Sequence, residues 1–389
     1  MSSTRSAAST VASSPPEAAS LTRREVPYVN IGAQYAEERD TLLPLIDAAL
    51  KSGQYIGGEA IERLEAELAA YIGVKHAVAL NSGTDALLFA LAALGVGPGD
   101  EVITPPNSFV ASTAVVAHLR AKPVFVDVLP DQNIDPAQIE AAVTPRTKAI
   151  MPVHLTGRMA RMDEIMAIAS KHKLAVVEDA AQAIGSKYAG RMSGSYGDAG
   201  CFSAHPLKNF NACGDGGFLT TNDDRIAAQA RSMRNHGMID RNTVEHFGFV
   251  SRLDTLQAVI LRHRLTRLPH ITERRRANAA QYDKLLERKA VFAPPETSKE
   301  FNTYHTYVIQ VDRRDELQKY LASRGVGSAI HYPIPIHLQP AARELGCRKG
   351  QFPATERQAQ RILTLPVNQT LGEADVRHVA QCVNEFFAV

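Results

Sequence analysis

The sequence predicts an α/β protein built on a mainly parallel sheet covered by helices. Two observations carry this. Short apolar runs recur at 77–80, 101–104, 123–128, 149–153 and 174–177, each bounded by turn residues and too short for a buried helix. Helical patterns fall between them, around 86–94, 110–119, 136–142 and 162–172. A parallel pair of strands needs a crossover connection, usually a helix, so this alternation reads as parallel neighbours. In such sheets chemistry collects at the carboxyl ends of the strands.

The elements follow in order. Residues 1–24 are expected to be a disordered tail, because twelve of the first 20 are Ser or Ala and Pro15-Pro16 interrupts them. Ile61, Leu64, Leu68 and Tyr71 make one apolar helix face. Gly-Pro-Gly at 97–99 and Thr-Pro-Arg at 144–146 mark turns. Further strand-like runs lie at 199–203 and 217–221. The regime changes near 250, where a long helical pattern from Leu253 to Leu286 begins, with a break expected at Pro269. Beyond it, Tyr304–Val311 and Ser328–Tyr332 read as strands, with helices around 314–323, 354–363 and 372–387. The length suits two to three domains. The expected division is a tail (1–24), a large domain (25–255) and a small α+β domain (256–389).

Charge excludes some functions. The formal net charge is +2, and Arg5, Arg23 and Arg24 against Glu17 place all of it in residues 1–24, so residues 25–389 are neutral. A neutral body is a poor sequence-independent binder of nucleic acid. Arg262, Arg264, Arg267, Arg274, Arg275 and Arg276 are the best support for a nucleic-acid or regulatory role, but they read more simply as a solvated helix face. Some of them are also available to a nucleotide diphosphate. No apolar stretch reaches the ~18–20 residues that span a bilayer. The start lacks the continuous apolar stretch of a secretory signal. The four cysteines, Cys201, Cys213, Cys347 and Cys382, have no metal spacing and read as reduced thiols, so a cytoplasmic location is expected.

Three segments carry chemistry. Asn81-Ser82-Gly83-Thr84-Asp85 stands between a strand and a helix, where free N–H groups and the positive dipole end can hold a phosphate. The same residues also read as a capping box. The strand 174–179 ends in Glu178-Asp179. A carboxylate there either faces the crevice, where it can hold a protonated pyridine nitrogen, or caps a turn. Lys208, in Cys201–Asn209, lies between two strand-like runs and is followed by Gly214-Asp215-Gly216-Gly217. Alone it reads as a solvated charge; desolvated, it is an amine that can bond an aldehyde. Together and in this order, a phosphate seat, an acid at a strand end and a lysine are the parts that pyridoxal phosphate requires.

The segments NSGTDAL (81–87), VEDAAQAIGS (177–186), CFSAHPLKN (201–209), GDGG (214–217), RNHG (234–237) and HYPIPIHLQP (331–340) resemble the DegT/StrS-type family from about residue 26 onward. These are fold-type I, pyridoxal-phosphate-dependent aminotransferases of nucleotide-linked sugars. The resemblance implies a seven-stranded sheet sandwiched by helices and pyridoxal 5'-phosphate as cofactor. It implies L-glutamate and a nucleotide-linked keto sugar as substrates, and a homodimer with shared sites. At matching positions Lys208 is the Schiff-base lysine and Asp179 the partner of the pyridine nitrogen. Gln182 packs near the ring and Phe109 stacks on it. Gly83, Thr84 and Ser203 hold the phosphate, which Asn235 reaches from the neighbouring subunit. His331 and Tyr332 line the sugar end, with His205 near it.

Departures qualify the match. Asn107-Ser108-Phe109 looks more like the subgroup acting on 3-keto sugars. His205 and Leu207 replace the commoner residues before the lysine. Relatives with histidine in place of the lysine are dehydratases, and Lys208 is retained here. The alternatives are an inosose (cyclitol ketone) aminotransferase and a lysine-retaining sugar dehydratase.

Overall fold

The computed structural model describes residues 24–388. The tail expected over 1–24 lies outside them except for Arg24, whose guanidinium pairs with Asp375 at 2.6 Å.

Helix α1 (Ile31–Ser52) starts where Asn30 Oδ1 accepts from the Ala33 amide at 2.9 Å. Helix α2 (Glu59–Ile72) ends at Gly73, whose φ of 81° is the left-handed conformation glycine adopts most easily. Then come β1 (His76–Leu80), α3 (Gly83–Ala93), β2 (Glu101–Thr104), α4 (Ala111–His118) and β3 (Lys122–Phe125). Helix α5 (Pro136–Ala142), β4 (Thr147–Ile150), α6 (Met162–His172) and β5 (Ala175–Asp179) complete the alternation. Short strands β6 (Lys187–Tyr188) and β7 (Arg191–Met192) precede β8 (Ala199–Ser203), β9 (Gly217–Thr221) and α7 (Asp224–Met233). Helix α8 (Thr255–Leu285) leads to β10 (Glu300–Phe301), β11 (Tyr307–Gln310) and α9 (Arg314–Ser323). Helix α10 (Pro353–Arg361), β12 (Ile362–Leu365) and α11 (Glu373–Ala388) close the chain.

The central sheet has seven strands in the order β1-β9-β8-β5-β4-β2-β3. β3, β2, β4, β5 and β8 are mutually parallel, and β9 runs antiparallel to both β8 and β1. Apolar residues of α3, α4 and α7 pack on the sheet in one core, and α2 with the first half of α8 in another. A third core joins β11, β12, α9, α11 and the second half of α8, with Val26 in it. Leu265 and Leu268 of α8 belong to the sheet-side core, Ala279 and Tyr282 to the third one. One helix therefore carries both cores.

Three expectations are corrected. Helix α8 runs through Pro269 unbroken, because Leu265, Leu268 and Ile271 are buried on either side and hold the axis. Residues 328–332 make only an isolated bridge, Ala329 to Thr364. The strand is instead β12, pairing antiparallel with β11, where a helical pattern through 363 had been expected. The arginines of α8 are not a solvated face. Arg262 pairs with Glu67, Arg264 with buried Glu38, Arg267 with Glu37 and Arg276 with Glu296, while Arg274 donates to the Leu371 carbonyl. Helices α1 and α7 were not anticipated.

Candidate active site

Strand register puts the three chemical segments at one end of the sheet. Leu80 and Ser203 both stand opposite Gly217, and Cys201 stands opposite Asp179. The carboxyl ends of β1, β8 and β5 are thus neighbours. Glycines make the approach close enough. A Cβ on Gly217 would lie 2.3 Å from the Ser82 carbonyl carbon, and one on Gly83 would lie 2.9 Å from Ser203 Cβ. The cap reading of 81–85 is realised, and the segment also faces the candidate site. Ser82 Oγ caps α3 by accepting from the Asp85 amide at 3.1 Å, while Gly83, Thr84 and Ser203 line a cavity of about 490 Å³.

The two carboxylates of β5 point apart, as successive strand residues must. Glu178 is fully buried and accepts from the amides of Gly194, Tyr196 and Gly197 at 2.7–2.9 Å. His154 Nε2 lies 2.9 Å from it, and His154 Nδ1 accepts from the Ala160 amide, so Nε2 carries the proton toward Glu178. Glu178 thus organises the loop before β8. Asp179 lines the cavity, where burial raises its pKa against the Ser112 hydroxyl (2.7 Å) and the Ala181 amide (3.2 Å). A buried carboxylate in this state gains from a cation placed beside it.

Lys208 stands in the same cavity, and its Nζ bonds no described residue. Burial lowers its pKa to about 8, with Asp179 acting the other way. Three imidazoles share the cavity with it. His305 is driven well below the usual range by burial and then by the charges of Lys208 and Arg275, and its Nδ1 is buried without a partner. His331 is pushed down to about 4 by burial and Lys208, and its Nδ1 lies 3.0 Å from Thr364 Oγ1. His205 is exposed at the rim, with Nδ1 accepting from the Leu207 amide.

Gln182 connects the walls. Its Oε1 accepts from the Thr156 amide at 2.8 Å, and its Nε2 reaches the Tyr332 hydroxyl at 3.5 Å. The Phe109 and Tyr332 rings lie 5.7 Å apart between centroids, tilted by 47°. Of the expected site residues, only Asn235 does not line the cavity; it bridges to Val250 and accepts from Arg252 at 3.1 Å. Asn107, read as a pointer to regiochemistry, is also turned away and donates to the Gln132 carbonyl at 2.8 Å. Ser112, His305, Arg275 and Tyr28 were missed. Arg275 was hidden in a run of arginines, and Ser112 carries no sequence signal at all. Among the described residues no cluster suits a metal ion.

The residues present fit pyridoxal phosphate. The start of α3 pressed against Ser203 leaves a cradle that a Cβ at Gly83 would fill. The buried Asp179 carboxyl suits a ring nitrogen, and the free Lys208 amine suits an aldehyde. The model of the DegT/DnrJ/EryC1/StrS aminotransferase family matches residues 36–384. The chain is 44% identical to a "pleiotropic regulatory protein" of Geobacillus stearothermophilus, over 93% of this chain and 98% of that one. It is 40% identical to the dTDP-3-amino-3,4,6-trideoxy-alpha-D-glucose transaminase of Streptomyces venezuelae (93% and 96%). It is 42% identical to the UDP-N-acetyl-3-dehydro-alpha-D-glucosamine 3-aminotransferase of Acidithiobacillus ferrooxidans (92% and 97%). Among solved structures, S. venezuelae DesV in complex with a ketimine intermediate superposes with a TM-score of 0.91 at 40% identity, covering 93% of this chain and 98% of that one. The PLP form of the sugar aminotransferase Spr1654 from Streptococcus pneumoniae does so at 0.85 and 27%, covering 89% and 95%. The chain belongs to the DegT/DnrJ/EryC1/StrS aminotransferase family, and its cofactor is pyridoxal phosphate.

Proposed function

We propose that the chain moves an amino group from L-glutamate to the C3 keto group of a dTDP- or UDP-linked deoxy sugar. It works by a ping-pong cycle, as a cytoplasmic homodimer. The observation that carries this is one cavity holding Lys208, Asp179 and the start of α3 on one side and His331 with Tyr332 on the other. Position 3 is supported by the relatives named for 3-amino and 3-dehydro sugars.

When bound, pyridoxal phosphate supplies a carbonyl carbon that takes up an amine and a ring that accepts an electron pair. Gly83, Thr84 and Ser203 hold its phosphate, and Asp179 keeps the ring nitrogen protonated. Lys208 Nζ takes the proton from the donor's α-carbon and returns it to the neighbouring carbon, and burial, which lowers its pKa to about 8, enlarges the share of neutral amine that can do so. Phe109 and Gln182 fix the plane in which this happens. His331, Tyr332 and His205 cover the sugar end and exclude water.

The dimer is supported by large apolar side chains left exposed around the site. Leu207 and Phe109 are about half exposed at the cavity, as are Phe249 and Val250 beside Asn235. Such patches mark interaction surfaces. Asn235, outside its own chain's cavity, is then free to reach the partner's phosphate. The four thiols are unpaired, and among the described residues no helix is long and apolar enough to cross a membrane.

The test offers nucleotide-linked 3-keto sugars, 4-keto sugars and inososes separately with glutamate and detects products by mass spectrometry. Amine gain on a 3-keto nucleotide sugar is expected. Amination of inososes alone, or loss of a hydroxyl without amine gain, overturns the reading.

A further inference from the structure

Arg275 is a buried cation without a counter-ion among the described residues. The residue is 6% exposed, yet no carboxylate among the described residues pairs with it, unlike Arg262, Arg264, Arg267 and Arg276 on the same helix. Nη1 is spent on two backbone carbonyls, Tyr304 at 3.0 Å and His305 at 3.1 Å. Nε is buried with no hydrogen-bond partner, and Nη2 bonds no described residue. The Nε–H and Nη2–H pair is the edge of a guanidinium that matches the two oxygens of a carboxylate in parallel. An unpaired buried charge is costly, so an arginine kept in this state gains most from a ligand that arrives carrying the anion.

The site tells which anion. Arg275 lines the same cavity as Lys208, and both bear on His305, which lies close to each. On the proposed function the cofactor phosphate is held by Gly83, Thr84 and Ser203, which line this cavity too. The diphosphate of a nucleotide sugar is separated from its reacting carbon by the sugar ring. The remaining anion that must sit beside the reacting amine is a carboxylate of the amino donor.

We infer that Arg275 is the binding residue for a carboxylate of the amino donor. This rests on the aminotransferase reading but not on the identity of the sugar. Because Nη1 also holds the 304–305 backbone, the guanidinium is anchored before the donor arrives, so little side-chain ordering is left for binding.

The experiment titrates the holoenzyme by calorimetry with glutarate, a dicarboxylate with no amine, in wild type, Arg275→Met and Arg275→Lys. It also follows single-turnover spectra of the donor half-reaction with L-glutamate. Glutarate affinity is expected to fall about 30-fold or more in Arg275→Met, as for truncation of one partner of a buried charge pair, and less in Arg275→Lys. The donor half-reaction should show a raised half-saturation concentration, while the sugar half-reaction keeps its own. Unchanged glutarate affinity in Arg275→Met, or an equal loss in both half-reactions, overturns the inference and leaves Arg275 a support for the 304–305 backbone. If Arg275→Met does not fold, Arg275→Lys decides by the same comparison. Failure to aminate any sugar alongside a normal glutarate result would sink the sugar assignment alone.

Discussion

The Ser112 hydroxyl donates to Asp179 Oδ2 at 2.7 Å, so a residue in the first turn of α4 aims the carboxylate that ends β5. The two are 67 positions apart in the chain, and both are buried. The bond favours the ionised form of a carboxyl whose pKa burial otherwise raises. Ser112→Ala should leave Asp179 less ionised and weaken cofactor retention by about tenfold, the worth of a hydrogen bond to a charged group. Equilibrium dialysis of the cofactor measures this; unchanged retention would show that Ser112 does not aim Asp179.

Glu178 and Asp179 should separate stability from chemistry. Glu178→Gln breaks a fully buried pair with His154 and puts an amide among N–H donors, costing about 3 kcal/mol in a denaturant melt. Asp179→Asn should fold near-normally but lose cofactor absorbance and activity. The reverse pattern would mean that the two carboxylates had exchanged roles.

Lys208→Ala should abolish turnover, and borohydride should no longer fix the chromophore to the chain. The lysine also leaves a pH signature in cofactor-free protein. The folded chain releases this proton at about 8 and the unfolded chain near 10.5, so between those values the unfolded state binds more protons. Stability should therefore rise with pH across that window and level off above it. Melting curves of Lys208→Met protein should lack this rise; its persistence would place the titration on another group.

Gly217→Ala should harm the protein more than Gly83→Ala. The added Cβ at 217 meets backbone, 2.3 Å from the Ser82 carbonyl carbon and 2.4 Å from the Gly83 nitrogen, which cannot swing away. At 83 the nearest atom is Ser203 Cβ at 2.9 Å. A loss of about 1–3 kcal/mol is expected at 217, with cofactor phosphate affinity falling as well. Equal effects of the two substitutions in thermal melts would count against strand-to-helix packing as the cause.

Much of the site was legible because its parts are local. A strand end, a helix start and a loop lysine are defined by a few consecutive residues, and the seven central strands lie on or beside apolar runs read from the sequence. β12 was not legible, because Ile362–Leu365 directly follows a helical pattern and a short apolar run does not declare its own period.

The sequence by itself determined the α/β alternation, the order of the chemical segments and the family that they resemble. Only the tertiary structure decided which carboxylate of Glu178-Asp179 faces the cavity, that α8 passes through Pro269, and that Ser112, His305 and Arg275 belong to the site. Period-two alternation says that neighbouring strand residues point apart but not which face is lined. Burial, counter-charge and a helix's support come from contacts far apart in the chain. Arg275, one of six arginines on α8, is set apart by what surrounds it in the fold: two backbone carbonyls and no carboxylate among the described residues.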